Sequence, residues 1–92
     1  MKVKVVFLSA LRLKIGKREI DLEIKDGLTG KEVLEVLYDT FGDDLKHKIV
    51  DANSKNYKMH FKVNNLFFVD NFENIVLKDK DILTILPPIA GG

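Results

Sequence analysis

The chain has 92 residues, 46% of them hydrophobic, and its 15 basic and 14 acidic side chains give a formal net charge of +1. This length suits one domain, and the charge balance argues against a nucleic-acid or membrane surface. Because the chain has no cysteine, disulfides, thiolate metal sites and cysteine nucleophiles are excluded. No apolar run is long enough for a signal peptide or a membrane span, so we expect a cytoplasmic protein.

The first part of the chain predicts a β-hairpin. Val3–Leu8 is almost wholly apolar, which is typical of a central strand or of one with a face covered by a partner. A polar connection around Gly16 follows. In Glu19–Ile24, apolar and acidic residues alternate, which indicates a half-solvated strand.

The next segment predicts a helix with defined ends. Thr29-Gly30-Lys31-Glu32 has the capping-box sequence, and Gly42 is the expected C-cap. Between them, apolar residues recur at helical spacing on one stripe, namely Val33, Leu34, Leu37, Tyr38 and Phe41. A short second helix is expected from Asp43 to about Val50, and residues 51–58 indicate a loop.

The remaining segments predict short strands that return to the sheet. These are Met59–Val63, a tight turn at Asn64-Asn65, Leu66–Val69, a loop at 70–74, an extended segment at 75–77, a charged turn at 78–81 and Ile82–Leu86. A hairpin, a helix and returning strands are the order of the β-grasp (ubiquitin-like) fold. We therefore expect an α+β protein with a mixed sheet on one main helix, and with the first and last strands parallel at the sheet centre.

The chain ends in Leu86-Pro87-Pro88-Ile89-Ala90-Gly91-Gly92. Proline has a fixed φ and no N–H, so the two prolines stop sheet pairing and favour an extended exit. We divide the chain into a domain of residues 1–86 and a tail of residues 87–92, which could reach roughly 20 Å. The terminal carboxyl is ionised at neutral pH, so it must be activated before a nucleophile can attack it. Acyl-adenylate formation with ATP is the usual route.

This ending resembles that of the MoaD/ThiS-type ubiquitin-like sulfur carriers, above all the small subunit of molybdopterin synthase. In that family an E1-like enzyme adenylylates the terminal glycine, which is then converted to a thiocarboxylate. The resemblance implies that Gly92 bears the chemistry and that Gly91, Ala90 and Ile89 form a thin segment inserted into partners. It implies that Pro87 and Pro88 direct that segment away from the domain.

The same resemblance implies the partners. They are an E1-like adenylyltransferase of the MoeB/ThiF type that uses ATP, a sulfur donor protein, and the large subunit of molybdopterin synthase, of the MoaE type. No bound cofactor is expected. Three departures from the family pattern leave the acceptor open: Lys80 where glycine is frequent, Leu86 where an aromatic residue is frequent, and Asn64-Asn65 in place of Asn-Gly.

The second face of the central strands predicts a docking patch beside the tail. Its residues are Val6, Leu8, Ile82 and Leu86, joined by Phe67 or Phe68. The alternative is that the second short helix or the loop at 51–58 covers this face.

Other residues do not form a catalytic or metal site. His47 and His60 lack a second ligand at metal spacing, so no metal is expected. The basic cluster Arg12, Lys14, Lys17 and Arg18 is interpreted as a solvated turn. Asp79 and Asp81 are interpreted as turn residues rather than general acids.

Two other functions stay open. The chain could be a ubiquitin-like modifier that forms isopeptide bonds through Gly92, in some cases with a second role in tRNA thiolation. It could also be a β-grasp interaction module with an inert tail. A thiamin-pathway carrier is a variant of the leading hypothesis.

Overall fold

The computed structural model describes residues 1–68 and 71–88, without the side chains of Ala10 and Phe68. In that part of the chain, strands and helices follow one another in this order: β1 Lys2–Phe7, α1 Ala10–Ile15, β2 Glu19–Glu23, α2 Gly30–Phe41, α3 Asp43–Ile49, β3 His60–Val63, β4 Leu66–Phe68 and β5 Ile82–Leu86. A 3₁₀ helix, Phe72–Asn74, lies between β4 and β5.

The strands form one mixed sheet in the order β2-β1-β5-β3-β4. Strand β5 lies at the centre, parallel to β1 and antiparallel to β3. The register places Phe7 beside Ile85 and His60 beside Leu86. The predicted parallel pairing of the first and last strands is therefore confirmed.

One face of the sheet packs on the helices and forms the core. Alternate residues of the central strands are fully buried there because successive side chains of a strand point to opposite faces. The central strands contribute Val3, Val5, Phe7, Leu83 and Ile85, and α2 contributes Val33, Leu34 and Leu37. Burying each such side chain stabilises the fold by about 1.5–3 kcal/mol, so this contact, rather than helix propensity, holds α2 on the sheet.

The predicted ends of the main helix are confirmed. The Thr29 hydroxyl accepts a hydrogen bond from the Glu32 N–H at 3.3 Å, and the Glu32 carboxylate accepts one from the Thr29 N–H at 3.0 Å. At the other end, Gly42 has φ +90° and its N–H donates to the Tyr38 carbonyl. The predicted second helix is observed as α3.

The connection between β1 and β2 differs from the prediction. It contains α1, which the sequence analysis missed, and Leu11 on this helix is fully buried. In Leu11–Ile15, apolar and basic residues alternate, and Leu13 stays 84% exposed, so the segment shows no helical stripe. The core contacts of Leu11 and half-buried Ile15 and the Gly16 C-cap, whose N–H donates to the Arg12 carbonyl at 2.9 Å, define this helix.

The segment predicted as loop at residues 70–74 also differs. Phe72, in the 3₁₀ helix, is only 1% exposed, and its ring stacks on that of Phe61 with the centroids 4.2 Å apart. One aromatic residue among polar neighbours gives no periodic signal, so its burial could not be seen from local pattern. The predicted strand ends at Leu8, Ile24 and Met59 each lie one residue outside the observed strands.

The arrangement of a mixed five-stranded sheet on one main helix confirms the predicted β-grasp fold. Across residues 1–68 and 71–88, no helix has the length and apolar character needed to cross a membrane. The predicted tail residues Ile89, Ala90, Gly91 and Gly92 lie outside the described residues.

Candidate functional site

The end of β5 is where the chain leaves the sheet. Leu86, half-buried, is the last paired residue and lies beside His60. Pro87 is half-buried and Pro88 is exposed. Neither proline has an N–H to donate, so the ladder stops at Leu86. The segment that follows therefore starts from the middle of the sheet rather than from an edge.

The start of β5 is fixed by a side-chain network that the sequence analysis did not predict. The Asn64 amide nitrogen donates to Asp81 Oδ1 at 3.0 Å, and its amide oxygen accepts from the Ile82 N–H at 3.0 Å. The other Asp81 oxygen accepts from the Lys78 N–H at 2.8 Å. Asn64 has φ +54°, a turn conformation that asparagine tolerates. Its side chain also binds the start of the strand that leads to the exit.

The turn at residues 78–81 is bound to β1 as well. Asp79 Oδ1 accepts from the Lys2 N–H at 2.8 Å, and the Lys80 N–H donates to the Lys2 carbonyl at 2.7 Å. The hydrogen bond from Lys2 lowers the pKa of Asp79 because it stabilises the charged carboxylate. Asp79 and Asp81 thus act as structural acceptors in this turn. Lys80 has φ +71°, which explains why glycine suits this position.

The outer face of the sheet, opposite the helices, surrounds the exit. The register sets its rows: His60 beside Leu86, then Val6 and Lys62 beside Thr84, then Lys4 beside Ile82. Leu8 directly follows β1, and its N–H donates to the Ile85 carbonyl at 3.2 Å.

The residues of the predicted docking patch therefore do not form one continuous surface. Val6, Leu8 and Leu86, all half-buried, lie at the exit end of the outer face. Ile82 lies at the opposite end of β5 and is separated from them by Thr84. The apolar surface beside the exit is therefore formed by Val6, Leu8 and Leu86, without Ile82.

The aromatic residues of β4 lie at the sheet edge. Phe67 pairs with Lys62, whose ammonium lies 5.6 Å from the ring centroid, and it is 56% exposed. Such a cation–π contact keeps the lysine stem over the ring. Phe68 pairs with the buried Phe61, and its own side chain lies outside the described part of the structure.

The outer face becomes charged toward β2. Lys4 and Glu19 form an ion pair at 2.9 Å, and the hydrogen bond and charge of Glu19 raise the pKa of Lys4. Lys2 Nζ and Glu23 Oε1 form a second ion pair at 3.7 Å. On the described outer face, apolar contacts are thus available near the exit, at the Phe67 edge and at the isolated Ile82.

The alternative prediction, that the second short helix or the loop at 51–58 covers the outer face, is wrong. Helix α3 packs on α1 and α2, and its Leu45 and Ile49 are buried in the core. Tyr57, in the predicted loop at 51–58, lies edge-on to the buried Phe61 at 5.1 Å. Both segments lie on the helix side of the sheet.

Two tyrosines on that side have perturbed environments. The Tyr57 hydroxyl donates to Glu73 at 2.7 Å. The Tyr38 hydroxyl is buried and has no hydrogen-bond partner among the described residues. Burial, with a smaller effect of the Glu73 and Glu35 charges, raises the pKa of Tyr38 to about 12. Neither tyrosine is near the exit.

The other candidate residues do not assemble into a site. His47 is exposed on α3, while His60 is half-buried beside Leu86. Within the parts of the chain that the structure describes, no three His, Cys, Asp or Glu side chains gather to hold a metal ion. The basic cluster is exposed, and Lys14 forms an ion pair with Asp44 at 3.2 Å.

Comparison with known proteins adds an independent finding. A family model described as ThiS family matches residues 5–92. The solved small archaeal modifier protein 1 from Methanosarcina acetivorans is 28% identical with a TM-score of 0.77, over 99% of this chain and 96% of that chain. A chain of the BexX/CysO complex from Amycolatopsis orientalis is 26% identical with a TM-score of 0.72, over 98% of this chain and 99% of that one.

A third solved structure is a complex of subunits 1 and 2 of molybdopterin-converting factor from Helicobacter pylori. A chain of it is 24% identical with a TM-score of 0.61, over 100% of both chains. Comparison with curated proteins gives no match.

Proposed function

The chain belongs to the ThiS family of ubiquitin-like sulfur carriers, and we propose that it is the small, sulfur-carrying subunit of a molybdopterin synthase. The observation that supports this most is the central position of β5, which runs directly into Pro87 and Pro88. A strand bound on both sides presents the following residues from a rigid base. In this proposal the fold serves to present residues 89–92 to partner proteins.

The proposed chemistry takes place on Gly92. Its carboxylate attacks the α-phosphate of ATP, pyrophosphate leaves, and an acyl-adenylate forms. Hydrosulfide supplied by a sulfur donor protein then attacks the Gly92 carbonyl carbon, the bond to AMP breaks, and a thiocarboxylate remains. In this proposal the catalytic groups come from the activating enzyme.

The activating enzyme, an E1-like adenylyltransferase of the MoeB/ThiF type, would dock on the exit end of the outer face. Val6, Leu8 and Leu86 supply its apolar contacts, and Phe67 supplies a second contact at the edge of β4. The thiocarboxylate would then enter the large subunit, of the MoaE type. The complex of the Helicobacter pylori subunits supports this assembly by analogy of fold.

The test is the intact mass of the protein after incubation with an E1-like enzyme, ATP and a sulfur donor. We expect a gain that corresponds to one oxygen replaced by sulfur, and no gain when Gly92 is deleted. A chain that gains no sulfur with an activating enzyme shown by pyrophosphate release to adenylylate it would contradict the carrier function.

Docking of the activating enzyme at the exit end is tested by substituting two leucines in turn. Leu86→Lys should slow adenylylation, whereas Leu13→Lys, on the exposed side of α1, should leave it unchanged because Leu13 lies outside the outer face. Equal effects of the two substitutions would contradict docking at the exit end.

A second function is favoured by one finding. The Methanosarcina acetivorans protein, 28% identical, is described as a small archaeal modifier. In that case the activated Gly92 would form isopeptide bonds with lysines of other proteins. Branched peptides on target lysines, and no thiocarboxylate, would establish the modifier. A Gly92 substitution without any effect on either product would leave an inert interaction module.

A further inference from the structure

A second surface lies on the helix side of the sheet, away from the exit. An open groove of ≈ 740 Å³ runs between the end of β2 and helix α2. Half-buried Ile24, Leu28 and Val36 line it with apolar surface. This surface belongs neither to the core nor to the outer face.

The groove is acidic in a chain with almost balanced charge. Glu23, Glu32, Glu35 and Asp39 line it, against one basic residue, Lys25. On α2, residues 32, 35 and 39 recur at helical spacing, so their carboxylates stand along one side. Glu32 is already bound in the helix cap. Glu35 and Asp39 form no ion pair within residues 1–68 and 71–88.

Strand β2 offers a free backbone edge beside this groove. It is the outermost strand and pairs only with β1 in the sheet that the structure describes. The Ile24 N–H donates to the Met1 carbonyl at 2.9 Å. Because hydrogen bonding alternates along an antiparallel strand, the N–H and C=O of Glu23 point away from β1. A further strand could therefore bind there.

The two sides of such an added strand would meet different chemistry. Its inward side chains would contact Ile24, Leu28 and Val36. Its outward side chains would stand beside the exposed acidic residues of β2, which are Asp21 and also Glu19 and Glu23, the last two in ion pairs with Lys4 and Lys2. Opposite charges on neighbouring strands attract, and like charges repel. The surface thus selects alternating apolar and basic residues.

We propose that the groove between β2 and α2 binds an extended segment of a partner protein in which basic and apolar residues alternate, added as a strand to the β2 edge. Main-chain hydrogen bonds provide affinity in this binding mode, and the alternating side chains provide specificity. Strand β1 lies between β2 and β5 in the sheet, and the groove is on the helix side whereas Val6, Leu8 and Leu86 are on the outer face. The segment and an enzyme bound at the exit can therefore occupy the protein together.

The probe is a short synthetic peptide with blocked ends in which lysine and valine alternate. It is titrated into the full-length, ¹⁵N-labelled protein and followed by amide chemical shifts. We expect shifts at residues 19–25 and 32–39, and none with a peptide in which glutamate replaces lysine. An absence of shifts, or shifts centred on α3 or the outer face, would overturn the proposal.

Charge is tested with matched double variants. Asp21→Lys with Glu35→Lys should weaken binding about tenfold or more, because attraction to the outward lysines becomes repulsion at Asp21 and the acidic character of the groove is reduced at Glu35. Asp43→Lys with Asp44→Lys changes the net charge equally but on α3, and it should leave binding within about twofold. Circular dichroism confirms that both variants fold. Equal weakening would show binding to net charge alone and would overturn the site.

Strand addition is tested on the peptide itself. Methylating every second backbone nitrogen should abolish binding for one alternate set and spare it for the other, because only one set faces β2. Binding that survives both methylated sets would contradict strand addition. A protein that lacks residues 89–92 should bind the peptide unchanged, and a loss there would contradict a site separate from the tail.

Discussion

Gly30, in the first turn of α2, has no room for a side chain. A Cβ at this position would overlap the Phe72 carbonyl oxygen and lie 2.8 Å from Cε2 of the Phe72 ring. The ring cannot move away because it is stacked on Phe61 and is only 1% exposed. The backbone cannot move either without loss of the hydrogen bond from the Gly30 N–H to the Ile75 carbonyl at 2.8 Å. We therefore expect Gly30→Ala to destabilise the protein.

Two opposing effects set the magnitude. Alanine favours a helix over glycine by up to about 1 kcal/mol in the helix interior, and by less in the first turn. Forcing extra volume into a packed site costs about 1–3 kcal/mol, and a backbone oxygen places this site at the upper end. The net loss in the free energy of unfolding is then about 1–2 kcal/mol, since helix propensity offsets only part of the overlap. For a domain of this size, each kcal/mol corresponds to roughly 4–8 °C in Tm.

The assay is urea unfolding followed by far-ultraviolet circular dichroism. Gly27→Ala is the matched control: Gly27 has φ +78°, but nothing lies within 4 Å of its Cβ position. Gly27→Ala therefore measures backbone strain without overlap, whereas Gly30→Ala measures overlap offset in part by helix propensity. A Gly30→Ala protein as stable as the wild type would refute the packing of Phe72 against the start of α2.

Three further predictions concern single residues. Lys80→Gly should raise the unfolding free energy by about 0.5–1 kcal/mol, because Lys80 has φ +71° and the left-handed region disfavours side chains; an unchanged urea midpoint would contradict this. Tyr38→Phe should raise stability by up to about 1 kcal/mol at pH 7 by removing a buried hydroxyl without a partner. Because the pKa of Tyr38 rises from 10.0 to about 12 on folding, the unfolded chain ionises first, and wild-type stability should fall between these pH values, less steeply in Tyr38→Phe. The pKa of Asp79 is lowered from 3.8, so its contribution to stability is lost as the pH falls below that value, and an acid titration of Asp79→Asn should lack this loss.

Much of the fold follows from local signals. The alternation of Val3, Val5 and Phe7 predicts the buried face of β1, and the capping box and Gly42 predict the ends of α2. Each of these features depends on residues within one element, so the sequence carries them directly. The tail could also be interpreted from its own residues, because proline and glycine limit what a backbone can do.

The missed features depend on contacts between distant segments. Leu11 and Phe72 are buried by elements far away in the chain, and neither belongs to a periodic pattern. The residues of the outer face could be predicted in outline because successive side chains of a strand point to opposite faces of the sheet. The interruption of the patch by Thr84 and Lys62 requires the registers of β1, β3 and β5, which no single strand contains.

The sheet order also determines when the protein can become functional during its synthesis. Strands β1 and β2 form one hairpin and β3 and β4 another, and β5 alone joins the two. An isolated hairpin is at best marginally stable in water. A nascent polypeptide that has not reached Ile82 therefore consists of two unjoined hairpins, with apolar surface open to chaperones and proteases. We therefore expect a chain shortened before Ile82 to lack the strand that joins the two hairpins and to be proteolysed more readily than the full chain.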